Sequence, residues 1–178
     1  MTSPLPHRLR IAPATPDDAE AIATVHVRSW QAAYADILAA EFLAQLSIAQ
    51  RATRWRDILQ KADSTTLVAR READVAGFIS LGRCRDEGAP ADQGEIWALY
   101  AAPQAWGQGV GRALLESAID ALRATGMKSV SLWVLGQNER GIRFYERCGF
   151  TPVAGSARLF ELGGRQIDEV ALVRQADA

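Results

Sequence analysis

The sequence has little cysteine. Cys84 and Cys148 are its only two, far apart and outside any C-x-x-C pair, which excludes a disulfide scaffold and points to a reducing, cytoplasmic setting. It also lacks an excess of positive charge: 20 Lys and Arg stand against 21 Asp and Glu, for a net charge of -1. The electrostatic footprint of a nucleic-acid binder is therefore missing. No apolar run approaches the roughly 20 residues of a membrane span. The opening "MTSPLPHRLR" has no apolar stretch of signal-peptide type. Linkers, internal repeats and low-complexity tracts are absent too.

What is there reads as a single globular domain. The chain has 178 residues, 48% of them apolar and 23% charged, enough to bury a substantial core. The domain is expected to span residues 1–178, with a structured core from about 8 to 174.

After a short leader, "RLRIAPA" has strand character, and "TPDDAE" supplies a helix start with Thr15 as cap and Pro16 in the first turn. That helix is expected to reach about Tyr34, with two shorter helices over 40–46 and 48–61. "TTLVAR" and "VAGFISLG" flank the turn-like "READ" as an antiparallel hairpin. "DEGAPADQG" is a loop and "EIWALYA" a further strand. From Val110 apolar residues recur at helical spacing until Gly126. "SVSLWVL" is a strand, "NERGIRFYERCG" a helix, "GFTPVAG" the start of a strand, and "RLFELGGRQIDEVALVR" a hairpin about Gly163 and Gly164. This order predicts a mixed α/β domain: a central, mostly antiparallel sheet with helices on both faces.

The stretch "PQAWGQGVGRALL" places Gly107, Gly109 and Gly111 directly before a helix. Glycines there let a backbone approach a ligand at the positive end of the helix, a ready anion site best suited to phosphate. Neither of two well-known phosphate schemes fits. A dinucleotide G-x-G-x-x-G counted from Gly107 meets Arg112 at its third glycine, and no GK[ST] follows for a P-loop. On this stretch alone, a glycine-rich turn that binds nothing stays open.

Two longer stretches in order, "EIWALYAAPQAWGQGVGRALL" and "LWVLGQNERGIRFYERCGF", resemble the GCN5-related N-acetyltransferase (GNAT) superfamily. Trp106-Gly107-Gln108-Gly109-Val110-Gly111 matches its acetyl-CoA motif Q/R-x-x-G-x-G/A. The second stretch matches N-x-x-A-x-x-F-Y-x-x-x-G-F. Two residues depart from the pattern. Trp106 replaces the usual Arg or Gln, and Gly141 replaces a small Ala at a cost of about 1 kcal/mol in helix propensity.

The resemblance implies the acyl-CoA N-acyltransferase fold, acetyl-CoA as acyl donor and no metal. It implies pyrophosphate held on the amides from Gly107 to Arg112, through Gln108, Gly109, Val110 and Gly111, with Trp106 at the edge. Arg112 adds a charge or is a solvated arginine. The pantetheine arm would pair with backbone groups of Leu99 and Ala101, with an amide near Leu99 polarising the acetyl carbonyl. Tyr145 is implied as proton donor to the leaving thiolate, against a packed aromatic. Asn138 would contact the cofactor or order water, against a plain helix cap.

Glu95 is the candidate base. By strand alternation it shares a face with Trp97 and Leu99, and its position resembles that of the base glutamate in the histone-modifying branch; the bland alternative is a solvent-facing carboxylate. His26, Trp30 and Tyr34 form one stripe on the first helix. Core packing suits His26, whereas Trp30 and Tyr34, with Trp97, are candidates for an aromatic wall around the acceptor. Cys148 reads as packing. The expectation is an acetyl-CoA-dependent transferase acting directly on a primary amine of a small molecule, peptide or protein terminus, with homodimers common in the family. The alternative is a non-catalytic acyl-CoA sensor.

Overall fold

A computed structural model describes residues 9–61 and 64–176 of the chain; the leader, residues 1–8, lies outside them. Strand β1 (Arg10–Pro13) leads through a short 3-10 turn into helix α1 (Ala19–Ala33). The turn is closed as the sequence suggests: the Asp18 carboxylate accepts from the Thr15 main-chain N–H at 2.9 Å, reaching back over the first turn. Tyr34 caps α1 at its C-terminus. Short α2 (Ala40–Ala44) and α3 (Ile48–Leu59) follow, the latter capped by Ser47.

The hairpin β2 (Thr65–Arg71) and β3 (Asp74–Arg83), then β4 (Gln93–Ala101), α4 (Val110–Ala124), β5 (Ser129–Leu135) and α5 (Glu139–Arg147) form in the expected order. The chain ends in β6 (Thr151–Pro152), β7 (Arg158–Leu162) and β8 (Arg165–Gln175). The "GFTPVAG" strand is only two residues long, because Pro152 has no N–H to continue the ladder. The sheet runs β1-β2-β3-β4-β5-β8-β6, with β7 on β8. Every pairing is antiparallel except β4 with β5.

Helix α4 buries Val110, Leu114, Leu115, Ala118, Ile119 and Leu122, each stabilising by about 1.5–3 kcal/mol for the larger side chains. It lies close because Gly77 and Gly94 leave room: a Cβ on either would meet Val110 or Leu122 at 2.9 Å. The other face of the sheet carries α1 and α3. There His26 stacks on Tyr100 with ring centroids 4.8 Å apart and accepts from the Trp55 indole N–H at Nδ1, 3.1 Å away. Burial holds the His26 pKa down at about 3, with Arg51 adding to the shift, so the ring is neutral.

Two features of β4 shape the centre of the sheet. Opposite β3, Leu81 pairs with Ile96 and Ser80 with Ala98, which leaves Trp97 as an extra, bulged residue. Bulges bend a strand and increase its twist. Opposite β5, pairing stops at Ile96 with Leu132, although β4 continues along β3 to Ala101 and β5 along β8 to Leu135. The two central strands therefore part company at the bulge.

Candidate active site

A cleft of about 770 Å³ opens where β4 and β5 diverge, within the size range of small-molecule sites. One wall is the free edge of β4. Ala102 donates to Ala76 at 2.9 Å, so the alternation of an antiparallel ladder turns the main-chain groups of Leu99 and Ala101 away from β3 and into the gap. The two residues are not equivalent. The Ala101 carbonyl already accepts from Ser29 Oγ at 2.9 Å and from Trp106 Nε1 at 2.8 Å. The Ala101 N–H and both main-chain groups of Leu99 face the gap without a main-chain partner from β3.

The glycine loop forms the next wall. Gly107 and Gly109 have φ of +74° and +82°, which non-glycine residues rarely adopt, and a Cβ on either would meet open space. Gly109 is the residue that caps α4, so the first amides of that 15-residue helix face the cleft with no side-chain cap. Gly111 lines the cleft as well, beside the Phe144 ring of α5, which a Cβ at this position would meet at 3.4 Å, an ordinary contact. Trp106 is fixed by its bond to Ala101 and covered by the Arg140 guanidinium, 3.7 Å from the ring centroid. Val110 and Arg112 line the cleft. Gln108 is not among its lining residues. Its side chain bonds to Arg71 and to the Gln104 carbonyl instead.

From α5, Tyr145 lines the cleft, packed edge-on against Phe144 and Phe150. Burial raises its pKa, with Tyr100 and Cys148 adding to the rise, so the phenol keeps its proton at neutral pH. Asn138 lines the cleft and caps α5, its Oδ1 accepting from the Gly141 N–H at 3.0 Å. That cap explains the glycine at 141, since a Cβ there would come within 2.5 Å of Asn138 Nδ2. Cys148 is buried, and burial raises its thiol pKa, which leaves it a protonated packing residue.

Glu95 is 2% exposed rather than solvent-facing. It pairs across the sheet with Gly82 and Ser131. The Trp97 bulge breaks the alternation expected from sequence, so Glu95 shares the α1 face with Ala98 and Tyr100, and Leu99 faces α4. Trp97 still covers that neighbourhood: its ring occupies the space a Gly82 Cβ would need, at 2.4 Å. Arg85 binds both Glu95 carboxylate oxygens and lies over the Trp97 ring at 4.7 Å. At the end of α1, Trp30 and Tyr34 meet edge to face at 5.4 Å, and both line the cleft. Tyr34 is largely packed among Ile37, Leu38, Leu43 and Ile167.

Several lining residues carry no local sequence signal. Trp133 is the first residue of β5 beyond its last pair with β4, as Trp97 is on β4. Arg158 stacks on Trp133 at 3.5 Å and pairs with Glu169 at 2.5 Å, while the Trp133 indole N–H donates to Asp86 at 3.0 Å. These contacts join three segments remote in sequence. Among the described residues, no cluster of His, Cys, Asp and Glu side chains is arranged to hold a metal ion, and no helix is long and apolar enough to cross a membrane.

A strand pair that opens beside a glycine-built helix N-terminus defines an acyl-CoA N-acyltransferase fold. Comparison with known proteins gives the family: the acetyltransferase (GNAT) family matches residues 27–150, and the chain belongs to it, which makes it an N-acetyltransferase by class. The uncharacterized N-acetyltransferase YuaI of Bacillus subtilis is 34% identical over 157 residues, 88% of this chain and 87% of that protein. PaiA N-acetyltransferase of Thermoplasma acidophilum, solved in complex with coenzyme A, superposes with a TM-score of 0.73 at 22% identity, covering 94% of this chain and 99% of that one. The yncA protein of Salmonella typhimurium, solved with its cofactor acetyl-CoA, gives a TM-score of 0.73 at 25% identity over 96% and 95% of the two chains.

Proposed function

We propose that the protein transfers an acetyl group from acetyl-CoA directly to a primary amine on a small molecule or peptide. The observation that carries this reading is the pairing of a main-chain-anchored carboxylate, Glu95, with a protonated phenol, Tyr145, along one cleft. A protein that only senses acyl-CoA needs neither.

The residues present fit the cofactor. Open space around Gly107 and Gly109 admits a phosphate to the exposed amides at the start of α4. The unpaired Leu99 groups suit an extended amide-bearing arm laid along β4 as an added strand, and an N–H there can polarise a carbonyl. At Ala101 the carbonyl is already bonded to Ser29 and Trp106, so its N–H is the group that can pair with such an arm. Acetyl-CoA supplies the acetyl group in activated form, as a thioester.

The chain's own work is then positioning and proton transfer. Glu95 takes a proton from the acceptor's ammonium and passes it to solvent, leaving a neutral nitrogen to form the C–N bond. Tyr145 Oη would give its proton to the sulfur as the C–S bond breaks, and would regain one from the second proton shed by the acylated nitrogen. One proton is released per turnover. Trp30, Tyr34 and Trp97 flank the acceptor.

The test is CoA release from acetyl-CoA with a panel of amines covering amino acid amides, arylalkylamines, diamines and dipeptides. Release with at least one amine, and with none of the matching alcohols, is expected. Acetyl-CoA binding without release from any of them would make the protein a sensor.

A further inference from the structure

Arg85 holds Glu95 in two different ways. Its main-chain N–H donates to Oε2 at 2.8 Å, and its Nε donates to the same oxygen at 3.2 Å. Oε1 accepts from Arg85 Nη2 alone, at 2.5 Å. The carboxylate is buried, whereas the Arg85 side chain is 60% exposed. A main-chain donor cannot leave, but an exposed guanidinium can. Its departure would leave Oε2 anchored and Oε1 bare on the cleft wall, a position that demands another cation.

The second arginine of this wall behaves differently. Arg158 is held by Glu169, by Asp86 at 3.6 Å and by the Trp133 ring. Arg85 has one carboxylate partner and the outer face of Trp97. Of the two guanidinium groups, Arg85 has the fewer acidic partners and the more exposed side chain, 60% against 52%. The charges on this side are Asp86, Glu95 and Glu169 against Arg85 and Arg158, so an outward swing of Arg85 raises the local excess of negative charge from one to two. The remaining lining arginines, Arg112, Arg140 and Arg147, come from α4 and α5.

We propose that the Arg85 guanidinium is a displaceable stand-in for the acceptor. The acceptor enters as a protonated primary ammonium, replaces Nη2 on Glu95 Oε1 beside Trp97, and Arg85 sets how strongly a cation must compete to enter. Apparent affinity for the acceptor is reduced by the fraction of molecules in which Arg85 occupies the site. This rests on the proposed function, in which Glu95 takes the acceptor's proton.

The experiment follows the Trp97 Nε1–H signal in 15N spectra of the CoA-loaded protein during titration with n-butylammonium chloride, against sodium chloride at equal ionic strength. A saturable, ammonium-specific shift is expected. Arg85→Ala should tighten it about 10-fold, and Arg85→Gln, which keeps a neutral donor, by less. Glu95→Gln should abolish it, and the Arg85→Ala/Glu95→Gln double variant should match Glu95→Gln. Should Arg85→Ala fail to fold, Arg85→Gln carries the same comparison. Binding unchanged or weakened in both Arg85 variants would overturn the proposal, as would a response that survives Glu95→Gln. In turnover with an accepted amine, Arg85→Ala should lower KM by about the same factor as it tightens ammonium binding; a fall in kcat at constant KM would make Arg85 a positioner of Glu95. Intact ammonium binding with no CoA release from any amine would sink the transferase reading alone. CoA release with unaltered ammonium binding in Arg85→Ala would sink this one alone.

Discussion

The Arg140 guanidinium of α5 lies 3.7 Å above the Trp106 ring, which is itself tied to the end of β4 by a 2.8 Å hydrogen bond to Ala101. The stack joins the two sides of the cleft at the glycine loop, where the family pattern usually has Arg or Gln. A cation on an aromatic face contributes roughly 0.5–2 kcal/mol. Arg140→Ala should therefore weaken acetyl-CoA binding about 3- to 10-fold by calorimetry, since 1.4 kcal/mol is about tenfold. Trp106→Phe keeps the aromatic face and drops only the indole bond, so it should lose less than Arg140→Ala. Equal affinity in all three proteins would leave the stack a surface contact with no part in binding.

The loop's backbone makes a sharper prediction. Gly109 has φ of +82° and caps α4. Gly109→Val forces a β-branched residue into the left-handed region and moves the amides that face the cleft. Acetyl-CoA and CoA should raise the melting temperature of the wild-type protein, by about 2.7 kcal/mol of stabilisation at 100 times Kd, whereas NADH should not. Gly109→Val should show no cofactor-dependent shift in the same melting assay. A shift of wild-type size in the variant would remove the loop from the binding site.

The loop and the α5 signature are legible in sequence because each is set by local spacing: glycines at 107, 109 and 111 before a helical pattern, and Asn138 seven residues before Tyr145. The order of elements along the chain follows from local patterning as well. What local pattern does not carry is register. The bulge at Trp97 arises from how β3 meets β4, and it moves Leu99 off the face of Glu95. Gln108 sits inside the glycine motif, yet Arg71, 37 residues away on β2, draws its side chain elsewhere. Arg85, Trp133 and Arg158 reach the cleft from a loop and two strands, and nothing in their own neighbourhoods marks them. Long-range pairing decides those positions, and a single sequence shows it poorly.

Buried His26 gives stability a pH dependence. Its folded pKa is about 3, held down by burial and then by Arg51, against about 6.5 in the unfolded chain. Below pH 6.5 the unfolded state takes up a proton that the native state refuses, so stability falls as pH drops from about 6.5 toward 3. Between pH 7 and pH 5 the loss is about 2 kcal/mol. His26→Gln cannot titrate, and its amide oxygen can still accept from Trp55. Urea midpoints at pH 7 and pH 5 should therefore differ clearly for wild type and much less for the variant, whatever the variant's absolute stability. Parallel pH dependences would show that His26 is not the group responsible.

The two proposed proton-transfer groups make opposite demands on pH, and that separates them. Tyr145 must hold its proton until the thiolate leaves. Burial raises its pKa above the usual value near 10, so the donor stays loaded throughout the neutral and alkaline range. Tyr145→Phe removes the hydroxyl and little volume. It should bind acetyl-CoA normally and turn over about 10- to 1000-fold more slowly, with no recovery at high pH. Glu95 must instead accept a proton from an ammonium. Glu95→Gln keeps its shape but cannot take that proton, and the neutral amide no longer attracts the cation. Turnover at one fixed, high amine concentration should fall most near pH 7, where nearly all the amine is protonated. It should recover partly as pH rises, because deprotonated amine then arrives ready to react and needs no base. Stopped-flow CoA release from pH 6.5 to pH 9.5 reads both variants in one series. A Glu95→Gln profile parallel to wild type would leave the carboxylate without a role as base. An alkaline recovery in Tyr145→Phe that matched the Glu95→Gln recovery would mean that both substitutions act on the amine, and Tyr145 would then not be the donor to sulfur.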